Sequence, residues 1–148
     1  MSALARLAAD EYRRRKASVD AAVADRRFDR AEGEKLLRCW LSIALTAGAR
    51  PADCDALLGY WQEERKLTDV YARYILLEQG PKRKVWQAEL TRARDAAGGK
   101  ARAAAEDIGW EDRRTLDLSL RHHALDSLAI YLGCPSEFPI EEQEKEAA

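Results

Sequence analysis

Residues 28–47 tie the chain to a helical core before composition is considered. Phe28-Asp29-Arg30-Ala31-Glu32 places an N-capping acid three residues before a glutamate, the spacing of a capping box with Asp in the hydroxyl position. The helix it opens is expected to run to about Ala47, with Gly48 as its stop. Its second half, Cys39-Trp40-Leu41-Ser42-Ile43-Ala44-Leu45, is apolar on nearly every side. A helix with no face for water belongs inside a fold, so this segment is the expected centre of the core.

The rest of the sequence agrees with helices and argues against sheets. Ala, Leu, Arg and Glu, all strong helix formers, dominate, and β-branched residues are sparse. Apolar spacing predicts further helices over about 3–25, from Pro51 onward, after Thr68, over about 82–97, over 100–108 and over about 111–132. Within them Val85, Trp86, Leu90 and Ala93 are expected to face inward, and Leu116, Leu120, Ala124 and Leu128 recur along the last helix. Gly98-Gly99 reads as a break between two of them. The fold class expected is all-α, a single-domain irregular or orthogonal bundle of about six or seven helices. It would span residues 1–135, with 136–148 an acidic, mobile tail. At 148 residues such a chain needs no disulfide or metal to close its core.

Charge is balanced in total and uneven along the chain. The net charge is −1, and 34% of residues are charged, above the usual ~25%. Residues 81–102 carry seven basic and two acidic side chains, and residues 103–148 carry four basic and eleven acidic ones. Internal pairing of these two stretches is the plainest account. Three cysteines at scattered spacings, with no C-x-x-C pair, suit a reducing cytoplasm. No apolar run approaches the ~18 residues of a membrane span, so no membrane partner is expected.

Four features bear on function. Lys82, Arg83 and Lys84 precede Trp86, and Arg92 and Arg94 follow; cations could hold phosphates while the indole stacks on a base. The structural alternative turns Trp86 into the core, as aromatics at helical spacing usually are. His122 and Asp126 are four apart and share a helix face, beside His123. Such a pair can contribute to a metal site or exchange a proton, but a metal needs a third ligand and none is evident. Glu63-Glu64, beside Arg65 and Lys66, reads as a solvated face. Phe138-Pro139-Ile140, followed by glutamates, could dock on a partner or on the chain's own basic segment.

The stretch from His123 to Leu132 resembles the carboxylate-bearing helix of the all-α nucleotide pyrophosphohydrolases, in which an E-x-x-D pair before an apolar run binds magnesium. Asp126 stands at the second acid and His123 at the first; of the acidic pairs upstream, Glu63-Glu64 lies too far back and Glu106-Asp107 lacks the E-x-x-E form. The resemblance covers about ten residues and departs at the first acid, so membership of the family is not assigned. There is no phosphate-cradling glycine loop, nucleophile elbow, Cys/His framework or dinucleotide fingerprint.

The function expected on these grounds is a non-catalytic binding or regulatory module acting through protein–protein contacts. No catalytic residue, cofactor or metal is assigned. Its expected partner is another protein, and a second copy of the chain is compatible with the sequence. The alternatives are nucleic-acid binding through residues 82–94 and metal-dependent hydrolysis of nucleotides centred on Asp126.

Overall fold

A computed structural model describes residues 2–54 and 69–137. Among them the chain is all-α, with five α-helices, one 3-10 turn and no strand. The helices are α1 (Ala3–Ala24), α2 (Arg30–Thr46), α3 (Asp69–Gln79), α4 (Arg83–Ile108) and α5 (Arg113–Tyr131), with the 3-10 turn at Pro51–Cys54. The helix expected after Pro51, the cap at Thr68 and the tail beyond Glu137 lie outside the described residues. The chain divides into two compact units, Met1–Trp86 and Gln87–Ala148.

In the first unit, α1 starts where the Ser2 hydroxyl accepts the Ala5 N–H at 3.1 Å. Ala5, Ala8, Ala9 and Tyr12 form its buried face. Small side chains on that face let α1 pack closely on α2. Farther along, a Cβ at Gly33 of α2 would lie 2.6 Å from Val19 Cγ1, so only glycine admits α1 there. The basic run of α1 is largely absorbed. Arg13 donates to the Asp10 carboxylate and the Asp53 carbonyl, and Lys16 pairs with Asp20 at 3.1 Å. Arg15 bonds Glu11 at 2.9 Å and lies over the Trp40 ring at 3.9 Å.

The α2 start follows the capping expectation: the Asp29 carboxylate accepts the Glu32 N–H at 3.3 Å. Cys39, Trp40, Ser42, Ile43, Ala44 and Leu45 are buried, which makes the second half of α2 the centre of this unit. α1 and α3 both pack on it. After α2 the Arg50 backbone N–H and guanidinium both bond Asp53.

The second unit pairs most of α4 with α5. α4 runs for 26 residues straight through Gly98-Gly99, which corrects the expected break. Each glycine costs about 1 kcal/mol in a helix interior. The alanine-rich flanks and the packing of Gly98, described below, outweigh that cost. Leu90, Ala93, Ala97 and Ala101 form the inner face of α4, whereas Val85, expected inward, is exposed.

α5 starts at Asp112, whose carboxylate accepts the Arg114 N–H at 2.9 Å. Its inner face is Thr115, Leu125, Leu128 and Ala129, continued by Leu132. Leu116 and Leu120 are exposed instead. The physical reason is rotation: residues four apart advance 40° at 100° per residue, so a strict four-residue repeat leaves any one face. The unit is closed by backbone carbonyls beyond α5. The Gln87 side chain donates to the Leu132 carbonyl at 2.9 Å, and Arg94 donates to the Pro135 carbonyl at 2.7 Å. No helix among the described residues is long and apolar enough to cross a membrane.

Candidate functional site

The basic segment separates into surface and interior residues. Lys82, Arg83 and Lys84 are exposed at the start of α4. Trp86 is buried, and Arg83 lies 5.6 Å from its ring centroid. Arg92 is exposed and holds the Glu89 carboxylate through two donors. Arg94 is only 1% exposed. Its guanidinium bonds Asp95 at 3.0 Å and the Pro135 carbonyl, and lies 3.9 Å from Asp126. Of the six candidate residues, then, four cations reach the surface, and the indole and one guanidinium are in the interior.

The second cluster is a groove of about 630 Å³ between the middle of α4 and the outer side of α5. Gly98, Ala101 and Arg102 contribute from α4, Trp110 from the connection, and Leu116, Ser119, Leu120, His122, His123 and Asp126 from α5. Two of its lining residues, His122 and Arg102, meet Glu137. His122 Nε2 and Glu137 Oε2 are 2.9 Å apart, and Arg102 Nη1 is 3.5 Å from Glu137 Oε1. Gly98 makes the approach possible: a Cβ there would sit 2.8 Å from His122 Nε2 and 3.1 Å from Glu137 Oε1.

Partial burial pushes the Glu137 carboxyl up, but the hydrogen bond and charge of His122, with Arg102, hold it below the ordinary carboxylate range. Asp126, whose carboxylate faces Arg94, is half-buried, and His123 is exposed. The Ser119 hydroxyl is buried without a hydrogen-bond partner at the edge of the groove.

His122, His123 and Asp126 therefore share one groove, but among the described residues no three His, Cys, Asp or Glu side chains are gathered closely enough to hold a metal ion. Glu63 and Glu64 lie outside the described residues. Three participants escaped the sequence reading. Glu137 is fifteen residues from His122 and thirty-five from Arg102, with no local pattern linking them. Gly98 was visible only as a helix breaker, although a glycine amid alanines inside a helical repeat also signals close approach.

Large apolar side chains are also exposed around α5. Trp110 (59% exposed), Leu116 (48%), Leu120 (67%), Ile130 (62%) and Tyr131 (60%) stand on the outer side of α5 and at its entry. Such side chains can bury area against another surface and supply shape rather than reactive groups. No family model, curated protein or solved structure matches the chain.

Proposed function

We propose that this protein is a non-catalytic binding or regulatory module that works through protein–protein contacts, with the outer side of α5 and Trp110 as its contact surface. The observation that carries this is the five large apolar side chains exposed there together. Tryptophan and tyrosine are the residue types that most often anchor protein interfaces. Three of the five, Trp110, Leu116 and Leu120, also line the groove, and among the described residues no three His, Cys, Asp or Glu side chains gather to hold a metal ion. The Asp126 hydrolase alternative gains no third ligand from this arrangement. We also assign the protein to a reducing cytoplasm, in keeping with three cysteines that are buried and form no disulfide.

The test is capture from the native host with tagged native chain and a Leu120→Asp, Ile130→Asp variant. Mass spectrometry reads the proteins and sequencing reads any nucleic acid. Defined protein partners should be enriched by the native chain and lost from the variant. An identical set of proteins on both would overturn this assignment of the surface.

A second reading, nucleic-acid binding, draws on the three consecutive exposed cations Lys82, Arg83 and Lys84. The interior position of Trp86 removes the stacking partner from it. Nucleic acid recovered by the native chain and lost on neutralising those three residues would favour this reading.

A further inference from the structure

We propose that the groove between α4 and α5 receives the chain's own Phe138-Pro139-Ile140, so that this segment and a protein partner compete for Trp110, Leu116 and Leu120. The competition rests on the protein-binding reading above, and the docking of the segment does not.

The direction of the chain after α5 carries the proposal. α5 runs back along α4, with Asp126 facing Arg94 and His122 facing Gly98. At Gly133, where φ is +77°, the backbone turns and lies over the seam between the two helices. Its contacts on α4 come in order: the Leu132 carbonyl accepts from Gln87, the Pro135 carbonyl from Arg94, and the Glu137 carboxylate meets Arg102. At 100° per residue, positions 87, 94, 98 and 102 fall within about 80° of one another, a single stripe on α4. Residues 132–137 therefore advance along one stripe, towards the connection that holds Trp110. Gly98 keeps the stripe clear, since a Cβ there would lie 3.1 Å from Glu137 Oε1.

Beyond Glu137 the same seam is the open groove. Arg102 and His122 hold Glu137 and also line the groove, so the strap ends at its mouth. Leu120 and Leu116 lie two and six residues before His122, about 3 and 9 Å along the helix axis. Three extended residues span at most about 10 Å. The next three in the chain are Phe138, Pro139 and Ile140, which lie outside the described residues. Continued on the same heading, Phe138 comes level with Leu120 and Ile140 with Leu116.

The chemistry of the segment suits that path. Trp110, Leu116 and Leu120 offer exposed apolar surface, and Phe138 and Ile140 are the apolar side chains that reach it. Pro139 brings no backbone N–H that would need a partner there. The Ser119 hydroxyl, buried at the edge of the groove without a hydrogen-bond partner, can donate to a backbone carbonyl of the segment.

A short bis-maleimide linking Ile140→Cys to Leu116→Cys in the full chain tests the docking, with Ile140→Cys and Arg114→Cys as control. Arg114 is two residues from Leu116 and lines a cavity on the other flank of the helix pair. Positions 114 and 116 are exposed, the three native cysteines are buried, and circular dichroism checks that each variant keeps its helices. The Leu116 pair should cross-link within one chain about ten-fold faster than the Arg114 pair, because docking raises the local concentration of one thiol at the other. Adding Phe138→Asp to the Leu116 pair should remove that advantage. Equal rates for the two pairs, an advantage that Phe138→Asp leaves intact, or cross-links formed only between chains would overturn the docking. The cross-link is read on the isolated chain, so its failure leaves the protein-binding reading to the capture experiment. Phe138→Asp alone should raise the capture of the partners that the Leu120→Asp, Ile130→Asp variant loses. Capture unchanged by Phe138→Asp overturns the competition, and the absence of any such partner overturns the binding reading while a positive cross-link still upholds the docking.

Discussion

One added methyl group has different expected consequences at Gly98 and at Gly99. A Cβ at Gly99 meets nothing within 4 Å, so Gly99→Ala should gain the helix preference of alanine, raising the unfolding free energy by about 1 kcal/mol. Gly98→Ala gains the same preference but must displace the tips of His122 and Glu137. Its stability should stay near that of the native chain while the His122 ring signals move; urea titration and imidazole NMR measure the two effects. Glu137 also carries a pH dependence. Its carboxyl lies below the usual value of 4.5, so the folded state holds its proton less readily than the unfolded chain does. The stabilisation is complete above the usual value and is lost as pH falls through the depressed one. Native chain should exceed Glu137→Gln in denaturation midpoint near neutrality, and the two should converge in acid. His122 stood out in the sequence beside Asp126, but its meeting with the others did not, since no local pattern joins residues 98, 102, 122 and 137.

At the scale of elements, Arg94 shows how a helix's rotation overrules its composition. Read by sequence alone, it belongs with the cations of the basic segment. Read by rotation, it lies four residues after the buried Leu90 and beside Ala93 and Ala97, on the inner face of α4. Its guanidinium then ties α4 to the Pro135 carbonyl beyond α5. Arg94→Met should cost about 1–3 kcal/mol, the range for leaving a buried acceptor unpaired, read by chemical denaturation. The helix starts were the most legible features, because a cap acts over three residues: Asp29 and the buried stretch after it follow directly from sequence. The faces of α5 were less legible. Leucines occur on both sides of it, and only the position of α4 decides which side is inside.

For the molecule as a whole, the all-α class was legible in composition and spacing, and the division between Trp86 and Gln87 was not. It falls inside α4, in a run from Arg83 to Ala97 that has no glycine, proline or serine to mark it. The uneven charge of residues 81–148 is partly resolved by contacts within the second unit, Arg94 with Asp126 and Arg102 with Glu137. Arg92 is likewise taken up by Glu89. Lys82, Arg83 and Lys84 stay exposed at the start of the segment, where each can reach a phosphate. Three such contacts release about three counterions, so any nucleic-acid affinity from this segment should follow salt with a log–log slope no steeper than about −3. Binding measured across a salt series checks this, and a markedly steeper slope would place the phosphate contacts elsewhere.

The two sides of α5 are subject to different constraints on change. Residues 125, 128, 129 and 132 answer to the interior, where each substitution perturbs packing. Residues 116, 120, 130 and 131 are exposed, so a combinatorial library confined to them can redirect what the helix meets while its scaffold stays fixed. One short segment thus joins an edge fixed by packing to an edge open to change, and new associations can be selected on it without solving the folding problem again.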